Sequence, residues 1–154
     1  MNCVLLTCVG LLLAVPSVAP GDGAKKEEAK IDGTWVATSA ELAGKKLPEG
    51  GEPIKLTLKK GEYEVKAESL DKGTVTYDDK ADPKEMDITG VEGPNKGKTF
   101  LAIYELSGDK LKICYDLAGK TRPTEFKTKP KTKLLLVTYE RKKPAESKAT
   151  KSDQ

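Results

Sequence analysis

The chain has 154 residues, 37% of them apolar and 33% charged, enough for one domain around one modest core. Lysine and arginine total 27 against 24 aspartate and glutamate, so the net charge of +3 is what remains of many charges of both signs; that describes a solvated surface and argues against nucleic acid as a partner, which would need basic residues gathered on one face. Histidine is absent, which removes the commonest general base near neutral pH, the commonest metal ligand and every nucleophile–histidine pair. Most hydrolase chemistry fails there, and the expectation is a non-enzyme with no catalytic residue, no metal and no cofactor, with an enzyme built on carboxylates and Arg122 as the third reading.

Residues 1–21 carry no charge and include an apolar run from Val9 to Val15 that ends in Pro16-Ser17-Val18-Ala19-Pro20-Gly21. They read as an export signal, since the run is too short to span a hydrocarbon core that needs about 20 residues. The expected destination is the periplasm or the exterior, with no stable membrane insertion once the signal is removed. Cys3 and Cys8 fall inside the signal and leave Cys114 as the single mature cysteine, so no disulfide can form within the mature chain. Residues 22–30 read as a Gly/Ala/Lys/Glu linker and 142–154 as a Lys-rich tail, both expected to be disordered, which places the folded body at 31–141.

Within that body the dominant period is two. Strands are expected at Thr34 to Glu41, Ile54 to Lys59, Tyr63 to Ala67, Thr74 to Asp78, Glu85 to Thr89, Phe100 to Leu106, Leu111 to Tyr115 and Leu134 to Glu140. Lys60-Gly61 and Gly108-Asp109 are the turns of two antiparallel hairpins. Eight consecutive strands with short turns and little helix imply an all-β, antiparallel up-and-down barrel, because closure removes exposed edges; an open two-sheet sandwich is the alternative. Alternation turns Trp35, Ile54, Leu56, Leu58, Tyr63, Val65, Val75, Tyr77, Met86, Ile88, Leu101, Ile103, Leu111, Ile113, Leu134 and Leu136 inward, and Cys114 outward. A barrel of this strand number is just wide enough to be filled by side chains or to hold one small ligand, and strands this short point to a mostly filled interior.

Three features bear on function. Asp78, Asp79, Asp82, Glu85 and Asp87 form an acidic cluster, but it lacks the central glycine and distal glutamate of a calcium loop and is interrupted by Lys80 and Lys84, so a turn with solvated charges is expected. Arg122-Pro123 follows Gly119-Lys120; Arg122 is suited to a two-pronged grip on a carboxylate or phosphate, or to stapling its own loop through Glu125 or Asp116. Gly33-Thr34-Trp35 has the Gly-x-Trp form that resembles the opening strand of lipocalins, in which the tryptophan closes one barrel end under a basic residue of the last strand; Arg141 is placed for that role, making Gly33, Trp35 and Arg141 a structural lid.

The run Ile103-Tyr104-Glu105-Leu106, Ser107-Gly108-Asp109, Leu111-Lys112-Ile113-Cys114, followed by Arg122-Pro123-Thr124-Glu125-Phe126 and preceded by Gly33-Thr34-Trp35 and Pro83-Lys84-Glu85-Met86-Asp87, resembles a small exported domain family of planctomycete bacteria that is lipocalin-like. The resemblance spans Ile31 to Arg141 and departs chiefly at Met86, where an isoleucine often precedes the aspartate. It implies a lipocalin-like barrel and export, and brings no catalytic residue, cofactor or ligand. The resulting expectation is a monomeric, exported, non-enzymatic binding module for a small apolar ligand or peptide at the barrel mouth, with Tyr63, Tyr77, Tyr104 and Arg122 as candidate ligand-binding residues. The competing class is a filled-core structural or protein–protein interaction domain whose partner is an envelope protein.

Overall fold

A computed structural model describes residues 30–48 and 52–143. The expected export signal, nearly all of the expected linker and nearly all of the expected tail lie outside the described residues.

The described chain is all-β. Nine strands run β1 (Gly33–Leu42), β2 (Lys45–Lys46), β3 (Lys55–Lys59), β4 (Glu62–Lys66), β5 (Leu70–Asp78), β6 (Glu85–Glu92), β7 (Thr99–Ser107), β8 (Lys110–Asp116) and β9 (Leu134–Arg141). From β3 onward each strand pairs antiparallel with the next, β1 pairs with both β3 and β9, and the ring closes. All eight expected strands form the barrel, and the two-residue β2 is an addition hung on the end of β1 through Glu41↔Lys46 and Leu42↔Lys45.

Local chemistry sets the turns. Lys60 and Gly61 both take positive φ, +52° and +76°, as a two-residue hairpin with the right-handed strand twist requires. In β3 the outward residues are Lys55, Thr57 and Lys59 while Leu56 and Leu58 are buried, and β5 repeats the pattern with Thr74, Thr76 and Asp78 exposed and Val75 and Tyr77 buried.

In β7 and β9 the expected phase is reversed. Phe100, Ala102 and Tyr104, and Val137 and Tyr139, belong to the interior core, with Leu106 and Leu135 packed against it, so Leu101, Ile103, Leu134 and Leu136 face outward. The reason is that this part of the wall is apolar on both faces, because residues 117–133 cross its outside. Ile103 and Cys114, Cα partners on β7 and β8, are 1% and 0% exposed there, and Pro123 is buried. The Cys114 Sγ lies 3.9 Å from the Lys127 carbonyl oxygen, and burial pushes its thiol up to about 11. Lys112 lies over the Phe126 ring at 5.5 Å.

Two anchors hold this crossing segment. Arg122 reaches back to β6 and β7: Nε lies 2.8 Å from Glu85, Nη2 donates to Asp87 at 2.6 Å, and Nη1 donates to the Met86 and Ala102 carbonyls at 3.0 and 2.8 Å. The expected staple to Glu125 or Asp116 is thus replaced by a pairing across the outer wall; Glu125 pairs instead with Lys127 and Lys129. The second anchor is Asp116, 6% exposed, which accepts backbone N–H bonds from Ala118, Lys120 and Thr121 at 2.8–2.9 Å. Burial pulls its carboxyl upward, but the three amides together with the Lys120 charge outweigh that and hold it below the usual carboxylate range.

A carboxylate held below its unfolded value stabilises the fold fully above the unfolded pKa, and that contribution is lost as pH falls through the folded one. The 117–133 segment is therefore expected to loosen as pH drops below about 4, the ordinary carboxylate range. Asp116→Asn is expected to lose about 2 kcal/mol at neutral pH and to flatten this part of the acid limb; urea titrations of both proteins at a series of pH values check it.

Candidate ligand-binding site

The two ends of the barrel differ. At the end where β1 begins, Trp35 and Ile31 are fully buried, and the indole Nε1 donates to the Ile31 carbonyl at 2.9 Å. Arg141, the Cα partner of Trp35, lies over the indole with its Cζ 4.1 Å from the ring centre. Its Nη1 and Nη2 donate to the Asp32 and Lys30 carbonyls at 2.6 and 2.8 Å, and Nε lies 3.4 Å from Asp109. Gly33 has φ +144°, and a Cβ there would stand 2.6 Å from Arg141 Nη1, so glycine both adopts the backbone angle and clears the guanidinium. The three expected lid residues are brought together. Removing the cation, as in Arg141→Ala, is expected to cost about 2 kcal/mol. Trp35 is the sole tryptophan, so a lower unfolding midpoint and altered tryptophan emission report the loss directly.

Above the lid the interior is packed by Leu58, Leu111, Tyr77 and Tyr104. The Tyr77 and Tyr104 rings meet edge to face with centroids 5.8 Å apart. Further toward the opposite end the packing stops at a cavity of about 260 Å³, walled by Leu56 and Val65 of β3 and β4, Ile88 and Phe100 of β6 and β7, and Ile113 and Val137 of β8 and β9. It extends to Ser69 and Pro94, both exposed, in the β4–β5 and β6–β7 connections, and so reaches solvent. Strand length implied a mostly filled interior; the lid end is filled, and the opposite end keeps this cavity.

Two hydrogen-bonded polar clusters interrupt this apolar wall. Asp71, 6% exposed, accepts from Tyr63 Oη at 2.8 Å and from the backbone N and Nδ2 of Asn95 at 3.1 and 3.0 Å, which fastens the β6–β7 connection at the mouth. Burial, then the Asp71 bond and charge, push the Tyr63 phenol well up, so it stays a donor. On the other wall the Tyr115 and Tyr139 hydroxyls lie 3.2 Å apart.

Of the four expected ligand-binding residues, Tyr63 lines the cavity, and Tyr77 and Tyr104 lie inside the barrel but outside its lining. Arg122 lies on the outer wall with its guanidinium taken up by two carboxylates and two carbonyls, and does not reach the cavity. The acidic cluster divides: Glu85 and Asp87 hold Arg122, whereas Asp78 accepts its own turn's Lys80 N–H at 3.0 Å. Among the described residues no three His, Cys, Asp or Glu side chains are grouped to hold a metal. Asp71, Asn95, Tyr115 and Tyr139 are additions. Tyr115 and Tyr139 share the alternation of Leu111 and Ile113 and of Val137, and that parity is the signal that points to them.

Fold and site together define a closed eight-stranded barrel with a sealed lower end and an apolar cavity at the other. No protein-family model, curated protein or solved structure matches the chain.

Proposed function

We propose that this domain is an exported, monomeric, non-enzymatic binding module, lipocalin-like in kind, that takes a small apolar ligand into the open half of its barrel. The observation that carries this is the cavity itself. Leaving about 260 Å³ of largely apolar space unpacked costs stability that a filled core would keep, in a small domain with little to spare. A purely structural module gains nothing from that cost, which weighs against the filled-core alternative. An apolar cavity of about 150 Å³ accommodates benzene, so this one suits a molecule of about ten non-hydrogen atoms. The mouth is walled by Ile54, Ala67, Leu117 and Leu135, which favours an apolar ligand at entry. The outer face of β3, with Lys55, Thr57 and Lys59, is unsuited to lipid contact. The uncharged residues 1–21 and the resemblance to exported planctomycete domains support the compartment.

The test is native mass spectrometry of the mature domain, purified gently from its host's envelope fraction and compared with the denatured sample. A small-molecule adduct that disappears on unfolding is the expected result. A bare mass, together with no thermal stabilisation by decane, would overturn the reading and turn the search to protein partners.

A further inference from the structure

We propose that the Tyr115–Tyr139 hydroxyl pair is the polar reader of the cavity, selecting neutral, apolar ligands of about ten non-hydrogen atoms that carry one hydrogen-bond acceptor, such as a ketone or an ester. This rests on the binding reading above and adds the ligand's chemistry to it.

The chain has five tyrosines, and all five face the barrel interior: Tyr63, Tyr77, Tyr104 and Tyr139 in the buried core and Tyr115 packed against it. Tyrosine is ordinarily only intermediate in burial, because its hydroxyl needs a partner. Tyr115 and Tyr139 reach toward each other from adjacent strands β8 and β9, where Tyr115 stands opposite Leu135 and Tyr139 opposite Leu111. Both line the cavity, and Tyr139 is 3% exposed.

Two hydroxyls carry two protons, and the bond between them uses one. Among the described residues no acceptor takes the second. A proton left unmet in an apolar space is costly, more so than an unmet lone pair, so the group this pair calls for is an acceptor on the ligand. Burial holds both phenols in their protonated form, with Tyr139 pushed up to about 12 and Tyr115 raised well above its ordinary value, aided by the neighbouring tyrosine hydroxyls. A charged ligand is disfavoured because no basic residue lines the cavity, and the acid that does, Asp71, is engaged by Tyr63 and Asn95.

The test compares 2-nonanone with decane, which have equal numbers of non-hydrogen atoms, by NMR titration of the mature domain. Decane is the more hydrophobic, so a purely apolar cavity prefers it. The expected result is that 2-nonanone binds the native protein as well as decane or better. Tyr115→Phe and Tyr139→Phe should each keep this preference, since either remaining hydroxyl still has a proton to offer. The double variant should weaken 2-nonanone roughly fivefold with decane unchanged. If both probes bind and their ratio is the same in the native and double-variant proteins, the inference falls while the apolar site stands. If neither binds, the binding reading falls and takes the inference with it. Should the double variant fail to fold, the carbonyl stretch of 2-nonanone bound to the native protein decides. A frequency below that in alkane solvent supports the donor, and the alkane value overturns it.

Discussion

Replacing Arg122 by alanine is expected to lower stability by about 3 kcal/mol, with an unfolding midpoint about 10 °C lower, and to open Cys114 to thiol reagents in the otherwise folded protein. The guanidinium is the hub of four contacts, to Glu85, Asp87 and the Met86 and Ala102 carbonyls, and is only 23% exposed. Its removal leaves Glu85 and Asp87 close together without their counter-charge, which adds repulsion to the lost bonds. Arg122→Lys keeps the charge but cannot reproduce the fork that spans two carboxylates and two carbonyls, so it is expected to recover less than half of the loss. In the native protein the burial that raises the Cys114 thiol also keeps it under residues 117–133. Thiol labelling therefore tracks opening of the segment, while tryptophan emission at Trp35 tracks the barrel. If labelling and unfolding stay coincident in Arg122→Ala, the segment and the barrel open as one unit and the staple is not a local clasp.

This arrangement also explains which parts of the structure were legible in the sequence. Strand positions were readable because β3, β4 and β5 alternate polar residues with hydrocarbon, as in Lys55-Leu56-Thr57-Leu58-Lys59, which assigns each residue to a face. Closure was readable because consecutive strands with an exposed edge are unfavourable. The parity of β7 and β9 was not, because Leu101, Ile103, Leu134 and Leu136 are as apolar as their inward neighbours Phe100, Ala102, Leu135 and Val137. Burial of the outer set depends on residues 117–133, whose path is fixed by the contact of Arg122 with Glu85 and Asp87 far back in the chain. At the site, Trp35 and Arg141 were legible from a short motif and the end of the last strand. Asp71 was not, because a carboxylate at the start of a strand reads as solvated until Tyr63 and Asn95 are seen to satisfy it. Likewise the cavity is a property of summed side-chain volumes around a ring of eight strands, which periodicity does not carry.

Gly73→Ala is expected to be strongly disruptive for the addition of a single methyl group, at about 3 kcal/mol or more. Gly73 stands opposite Tyr63 on β4, and β5 shifts register against β6 between Lys72 and Gly73. A Cβ there would come within 1.9 Å of the Thr89 carbonyl oxygen and 2.7 Å of the Tyr63 ring. The first contact is backbone and cannot swing aside, so the β5–β6 pairing must shift, and the second contact requires the Tyr63 ring to move as well. Moving the ring pulls its hydroxyl from Asp71 and with it the tie to Asn95 at the cavity mouth. The expected outcome is therefore double: a lower urea midpoint, and weakened binding of decane from a wall that no longer closes. Gly97→Ala is the control. That glycine has φ +78° but nothing within 4 Å of a built Cβ, so it should cost only about 1 kcal/mol of backbone strain and leave decane binding intact. If the two variants prove equally destabilising, the space at Gly73 is not what holds Tyr63 and Asp71 in place, and the mouth must be set by the β6–β7 connection alone.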